Sequence, residues 1–205
     1  MLDGLDAVDW ASLSHAGGEA TDVPGLLRSL LSADPTVREG ACYQLLGIIC
    51  HQGTVYTASA AAVPFLYEML TAHEVQDKAK IAYLTASIAN GYGYLEVHAA
   101  SGRGEAIWRE LFRNKGESFE DAVAREVAEV GSVRHAASAG LHHLLPFLGE
   151  GESMIRWEIA VSLGNYSEHV AWALAAIEAA LASETDERVR DVLIESEARL
   201  NKQQT

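Results

Sequence analysis

Three short clusters of polar and aromatic residues could provide a binding site. They are His51 and Gln52 with Tyr56, Asn90 with Tyr92 and Tyr94, and Asn165 with Tyr166. Together they offer an imidazole, amides that hydrogen-bond in either direction, and tyrosine rings that carry hydroxyls. The same residue types also occur at helix C-termini, where polar side chains satisfy free carbonyls next to a left-handed glycine. Both interpretations stay open, although capping does not require so many tyrosines.

One pair of residues could carry out acid–base chemistry. Glu96 and His98 follow Tyr94 closely, and they would act as an acid and a base if a pocket formed around them. The sequence contains no Gly-x-x-x-x-Gly-Lys loop, no Gly-x-Ser-x-Gly nucleophile elbow and no dinucleotide-binding fingerprint. A catalytic site therefore stays unassigned, and a protein without enzymatic activity is favoured.

Metal binding and tryptophan recognition have weaker signals. His135, His142 and His143 bring imidazoles within about two helical turns, but no third ligand follows at a zinc-like interval. We therefore expect no metal site and no cofactor. Trp157, directly after Arg156, is either a structural plug or a recognition residue, and it stays among the candidate binding residues.

The candidate residues lie at the ends of predicted helices. At the start of four segments with an apolar stripe, an acidic residue precedes a basic one by four positions. The pairs are Asp34/Arg38, Glu74/Lys78, Glu152/Arg156 and Asp186/Arg190. Each segment predicts a helix with a charged pair at its rim and an apolar stripe beneath. The predicted helix pairs are 23–32 with 35–51, 56–72 with 74–90, 137–149 with 152–166 and 168–183 with 186–202, after a leading helix near 5–15.

The repeat is interrupted after its second copy. The basic residues are 40 positions apart from Arg38 to Lys78, 78 apart from Lys78 to Arg156 and 34 apart from Arg156 to Arg190. Because 78 is about two periods, we expect one degraded repeat over residues 91–136, with a helix there that begins at Ser118. Pro64 and Pro146 predict a kink or a fresh helix start.

A two-helix unit of about 35–45 residues, with an acid and an arginine or lysine opening the second helix, resembles HEAT-type repeats. The stretch 22–70 is similar to a group of bacterial HEAT-repeat-domain proteins, through residues 22–24, 37–38, 51–56 and 62–66. The resemblance implies an all-α fold: one armadillo-like domain over residues 1–205, forming a right-handed α-solenoid of about four to five HEAT-like hairpins with the middle one degenerate. It implies no single activity, because such solenoids include scaffolds, bilin lyases and a class of DNA glycosylases.

Charge narrows the range of partners. The formal net charge is −14, and the 15 lysines and arginines form no cluster. Nucleic-acid binding is not expected, because it requires cations that displace counterions from phosphates. An acidic surface suits a basic protein partner or a cationic small molecule, and it also keeps a solenoid soluble.

The sequence predicts a cytoplasmic protein with no membrane partner. Cys42 and Cys50 lie eight residues apart on one predicted helix, so they cannot pair with each other. The first residues carry neither a basic start nor an apolar run, and the apolar stretch 170–182 is too short to span a bilayer.

The leading prediction is a non-enzymatic binding or adaptor module that recognises a basic protein partner through an acidic concave face. One concrete form is an immunity-type protein that masks a basic toxin. The alternative is a small-molecule-binding protein or biosynthetic enzyme whose pocket is formed by the degenerate repeat.

Overall fold

The computed structural model describes residues 1–202 and is mainly helical, which confirms the all-α class. Within those residues the α-helices are α1 (Val23–Ser29), α2 (Pro35–Ile49), α3 (Thr57–Thr71), α4 (Lys78–Ala89), α5 (Tyr94–His98), α6 (Gly102–Asn114), α7 (Phe119–Gly140), α8 (Ser153–Asn165), α9 (Val170–Leu181) and α10 (Glu187–Lys202). Two antiparallel hairpins pair β1 (Ser14–His15) with β2 (Gly18–Glu19) and β3 (Cys50–His51) with β4 (Thr54–Val55). Short 3-10 helices cover Leu5–Ala7, Trp10–Ser12, Leu141–Leu148 and Ser167–His169.

The predicted leading helix near residues 5–15 is wrong. This segment forms two 3-10 turns and strand β1. Leu5 and Trp10 are both buried in the core, and the Trp10 indole donates to the Leu5 carbonyl at 2.9 Å. Gly18, with φ at +126°, then allows the tight β1–β2 hairpin. Two apolar anchors and a glycine turn therefore replace the helix.

The helices pack in two layers. Layer A consists of α2, α4, α8 and α10, each in contact with the next in that order. Layer B contains α1, α3 and the C-terminal part of α7, and it covers layer A from one side, while α9 packs on α10 and α8. Within the described residues no helix is both long enough and apolar enough to cross a membrane.

The long interval between Lys78 and Arg156 arises because the chain between α4 and α8 forms additional helices outside the two layers. Helix α4 packs directly against α8, although α5, α6 and α7 lie between them in sequence. We call residues 91–132 the insertion. It has a small core of its own around Leu95, Phe119 and Ala122, and α7 then joins the main core at Val133 and Ala137. Residues 91–136, where a degraded hairpin is expected, thus contain α5, α6 and most of α7, packed around this small core.

Several helix boundaries follow from the sequence and others do not. Asp34 Oδ1 accepts from the Thr36 amide at 2.8 Å and Ser118 Oγ from the Asp121 amide at 3.1 Å, which confirms both predicted caps. Pro64 lies inside α3, which begins seven residues earlier, so of the two expected alternatives, a kink or a fresh helix start, the fresh start is wrong. The exposed position of Pro64 leaves room for water at the carbonyl that loses its donor.

The predicted rim pairs within helices are also replaced. Arg38 Nε donates to Asp77 Oδ2 at 2.6 Å, and Arg156 Nε donates to Glu184 Oε2 at 2.6 Å. Both acceptors belong to the following hairpin rather than to the residue four positions earlier. The Asp34 carboxylate is engaged as a helix cap by the Thr36 amide, and Arg38 bonds to Asp77 instead.

Candidate functional site

The three predicted clusters adjoin one another at the ends of the layer A helices. After α4 the chain pairs with β4: the Tyr92 amide donates to the Gly53 carbonyl at 3.0 Å, and the Val55 amide donates to the Tyr92 carbonyl at 3.1 Å. The Tyr92 hydroxyl donates to the Gln52 carbonyl. Gly53 has φ at +87°, and a Cβ there would lie 2.6 Å from the Tyr92 ring. Only glycine therefore allows this ring to lie over the β3–β4 turn.

Two clefts share a wall built from Gly47, His51, Gln52 and Tyr92. The first, which we call the Tyr94 cleft, has a volume of about 720 Å³ and is also lined by Ala16, Gly17, Ile48, Thr54, Tyr56, Tyr94, Val97 and His98. The second, which we call the Glu158 cleft, has a volume of about 630 Å³ and is also lined by Tyr43, Leu46, Cys50, Gly53, Tyr83, Ser87, Asn90 and Glu158. The structure thus brings His51, Gln52, Tyr56, Asn90, Tyr92 and Tyr94 together around two neighbouring openings.

Aromatic contacts fix the far wall of the Tyr94 cleft. The Tyr94 ring lies against His98 with centroids 4.1 Å apart, and it meets Trp108 of α6 edge-on at 5.4 Å. Tyr94 remains 42% exposed. On the opposite side, burial raises the pKa of Tyr56, so its hydroxyl is a neutral donor at physiological pH. The cleft therefore offers aromatic faces and neutral hydrogen-bonding groups.

An amide ladder links the Glu158 cleft to the end of the layer. Asn90 Nδ2 donates to the Glu158 carbonyl and to Glu158 Oε1, each at 2.9 Å. Asn165 Nδ2 donates to Asn90 Oδ1 at 3.2 Å, and Arg199 of α10 donates to Asn165 Oδ1. Asn90 lines the cleft, whereas Asn165 supports it from behind.

Two predicted binding residues lie apart from the clefts. Tyr166 is 1% exposed, and its hydroxyl donates to the Ala89 carbonyl at 2.9 Å, so its side chain joins α8 to α4 inside the core. Trp157 borders a separate depression of about 290 Å³ with Met154, Asp186 and Arg188, where α8 faces the start of α10. Tyr166 is therefore a packing residue, and Trp157 is remote from the shared wall.

Glu96 and His98 line different cavities. Glu96 borders a cavity inside the insertion, and its Oε2 accepts from the Gly93 amide at 3.2 Å, as a cap of α5. His98 borders the Tyr94 cleft and packs on the Tyr94 ring. Because the two side chains border separate spaces, the structure does not form the acid–base pair that the sequence suggested.

The insertion cavity is open to solvent and is bordered by α5, α7 and the start of α6; it has a volume of about 620 Å³ and a mainly apolar lining. Its apolar wall includes Leu95, Phe119 and Val123. The Glu126 carboxylate at its edge accepts from the Leu95 amide at 2.8 Å and from the Glu96 amide at 3.0 Å. Glu126 therefore anchors the start of α5 and is not free for a ligand.

Sequence reasoning missed Glu158 and the tyrosines beside it. Burial raises the pKa of the Glu158 carboxyl, while hydrogen bonds from Asn90 and Ser87 oppose that shift. Tyr43 and Tyr83 line the same cleft, each five residues after the basic residue of its repeat. Glu158 precedes Asn165 by seven residues, or about two helical turns, and so shares a face with it. That spacing was the available signal.

His142 and His143, two of the histidines considered for metal binding, pack beside Tyr67. Within residues 1–202 no group of three or more histidine, cysteine, aspartate or glutamate side chains is arranged to hold a metal ion. The His142 and His143 rings pack together at 4.0 Å, and burial lowers the pKa of His143. These imidazoles belong to the packing around Tyr67, whose ring is 5.6 Å from His143.

Comparison with known proteins assigns no family. No protein-family model, curated protein or solved structure matches the chain.

Proposed function

We propose that the protein is a non-enzymatic binding module that holds a basic protein partner at the Tyr94 and Glu158 clefts. The observation that carries the proposal is the shared wall: residues from α2, the β3–β4 turn and the segment after α4 converge on two adjacent openings. Concave sites with aromatic walls and a few polar groups are typical of recognition surfaces. An immunity-type protein that masks a basic toxin is one form of such a module.

The scaffold in this proposal is a HEAT-like, right-handed α-solenoid of four hairpins with one insertion. Its support is the order of layer A and the arginines that join successive hairpins, Arg38 to Asp77 and Arg156 to Glu184. In such a stack each unit contacts mainly its neighbours, and irregular segments carry the individual features of the protein. Here those irregular segments, the β3–β4 turn and residues 90–94, supply the site.

Charge supports a basic partner. The chain carries a net charge of −14, and no lysine or arginine lines either cleft among the described residues. Opposite charge accelerates association and disfavours acidic competitors. The free, buried thiols of Cys42 and Cys50 fit a reducing compartment, so we place the module in the cytoplasm.

Capture of the partner tests this proposal. The wild-type protein, a Tyr43→Ala/His51→Ala variant and an Ile194→Ala control are immobilised and exposed to extract from the source organism, and retained proteins are identified by mass spectrometry. Tyr43 and Ile194 are exposed by 79% and 50%, so their truncation leaves the core intact. We expect one basic protein to be retained by the wild type and the control and lost from the double variant. Equal retention by all three would place the partner elsewhere.

The alternative function, binding of a small molecule, is favoured by one observation. The insertion cavity is mostly apolar and measures about 620 Å³, which is large enough for a drug-sized ligand. This version predicts that native mass spectrometry of freshly purified protein shows an added mass that disappears when Val123→Trp fills the cavity. No such mass in the wild type would remove it.

A further inference from the structure

Glu158 is an acidic group with only neutral partners. Its carboxylate is held by the Asn90 amide, at 2.9 Å, and by the Ser87 hydroxyl. No lysine or arginine is part of the cleft lining in the described chain. By contrast, the neighbouring Arg156 is engaged with Glu184 of the next hairpin. Among the described residues, no cation of the cleft lining neutralises the Glu158 carboxylate when it is ionised.

Three tyrosines line the same cleft as this carboxylate. Tyr43 and Tyr83 come from equivalent positions on α2 and α4, and Tyr92 closes the side shared with the other cleft. Tyr43 is 79% exposed, so the mouth of the cleft is open to a ligand. Aromatic faces beside a carboxylate are the environment that recognises an organic cation, because ring quadrupole and carboxylate both attract positive charge.

Keeping a half-buried carboxylate without a counter-ion is unfavourable for the free protein. Burial raises the pKa of Glu158, and the same charge helps raise the pKa values of Cys50 and Tyr83, which face it from β3 and α4. A cation in the cleft would offset this desolvation and favour the ionised carboxylate. A positively charged ligand would therefore bind more favourably, because it offsets the desolvation of the ionised Glu158 carboxylate.

We propose that the Glu158 cleft binds the terminal cation of a lysine or arginine side chain presented by the basic partner. This assignment rests on the proposed function and gives one of its two clefts a chemical specificity. The carboxylate of Glu158 accepts hydrogen bonds from the ammonium or guanidinium group. The rings of Tyr43 and Tyr83 pack on the cation and on its aliphatic stem.

The test uses three small probes: the N-acetyl methylamides of lysine, arginine and norleucine. Norleucine has the lysine stem without its charge. Binding is followed by nuclear magnetic resonance at the Asn90 side-chain amide and the Tyr43 ring. We expect both cationic probes to shift these signals and the norleucine probe to leave them unchanged. The ratio of the affinities for the lysine and arginine probes then shows which side chain the cleft prefers. Equal shifts from norleucine would overturn the proposal.

Glu158→Gln is the decisive variant, because glutamine keeps the shape and the acceptor for Asn90 while removing the charge. We expect the cationic probes to bind it at least about tenfold more weakly. Glu178→Gln on α9 removes the same charge from an exposed site and should bind as the wild type does. Tyr43→Ala, which alters only an exposed ring, should weaken binding about two- to fivefold.

Failure of this assignment and failure of the binding module have different signatures. Unchanged probe affinity in Glu158→Gln would overturn the cation site, yet the module would stand if partner capture still depended on Tyr43 and His51. If the Tyr43→Ala/His51→Ala variant captured the partner as well as the wild type does, the proposed binding module would be overturned, whatever the probes show.

Discussion

The guanidinium of Arg38 is bonded to Asp77, the residue immediately before the next layer A helix. Its Nε donates to Asp77 Oδ2 at 2.6 Å, and its Nη1 donates to the carbonyls of Ser32 and Ala33 at 2.8 and 3.0 Å. The Arg38 residue is only 6% exposed. One side chain thus joins the loop before its own helix to the loop of the following hairpin, and Arg156 repeats the arrangement with the Gly151 carbonyl and Glu184.

Arg38→Ala should therefore be strongly destabilising. It removes charged donors from two carbonyls and leaves Asp77 without its partner, so we expect a loss of about 2–4 kcal/mol in the free energy of unfolding. Arg28→Ala is the matched control, because Arg28 pairs with Asp6 on the surface and should cost under about 1 kcal/mol. Urea denaturation measures both, and similar losses in the two variants would contradict the structural role of Arg38.

The sequence identified the arginines but not their partners. The acid–base spacing correctly located α2, α4, α8 and α10, because apolar periodicity is a local property of the chain. The partner of Arg38 depends instead on which loop the next hairpin brings alongside, and that is decided by packing between helices. The spacing of four residues therefore indicated an ion pair between Asp34 and Arg38, whereas Arg38 bonds to Asp77 in the folded protein.

The candidate site was predictable where it depends on local sequence and unpredictable where it depends on packing between helices. Residues 51–56 and 90–94 are marked by glycine and tyrosine where helices end, so their grouping could be inferred from equivalent repeat positions. Glu158 could not be found in this way, because it reaches the cleft only when α8 packs on α4. The sequence predicts a degraded repeat in the interval between those two helices, and a repeat stacked there would keep them apart.

The Arg156–Glu184 bond should appear in the dependence of stability on pH. Hydrogen bonds from Arg156 lower the pKa of Glu184 to about 2. A depressed folded-state pKa means that the contribution is complete above the unfolded value, near 4.5, and is lost as pH falls toward 2. Glu184→Gln should thus be less stable than the wild type at neutral pH, with the gap narrowing between about pH 5 and pH 2. A gap that does not change with pH would contradict this.

Both thiols should be unreactive in the folded protein. Burial raises the pKa of Cys42 to about 11 and that of Cys50 to about 12. The Cys50 thiol donates to the Ser87 carbonyl at 3.3 Å. Since the thiolate is the reactive species, an aromatic disulfide reagent should modify neither cysteine at neutral pH until urea unfolds the chain. Rapid modification of the native protein would show that one of these thiols is accessible.

The insertion should open independently of the two layers. Phe119 packs with Leu95 and Ala122 in a cluster separate from the main core, and no residue of α6 is buried. Phe119→Ala should cost about 3–4 kcal/mol locally and accelerate amide hydrogen exchange in residues 94–125. Exchange in α4 and α8 should stay as in the wild type, and acceleration there would mean that the insertion and the layers unfold together.

Replacing the charge of Glu158 should stabilise the free protein while weakening its binding of cations. The pKa of Glu158 is raised by burial, so ionisation costs the folded state more than the unfolded one. This cost is absent below the unfolded pKa, grows as pH rises from that value to the folded one, and is constant above it. Glu158→Gln should therefore unfold at a higher urea concentration than the wild type at about pH 7.5 and at a similar one at about pH 4.

The other titratable residues of the cleft should not alter this pH-dependent difference in stability. The pKa values of Cys50 and Tyr83 are both raised, so these groups stay neutral over that range, and His51 is present in both proteins. Glu178→Gln serves as the control, because an exposed carboxylate on α9 should give no pH-dependent difference. If Glu158→Gln were less stable than the wild type at pH 7.5, the carboxylate would stabilise the fold. That result would contradict the expectation that its charge destabilises the free protein.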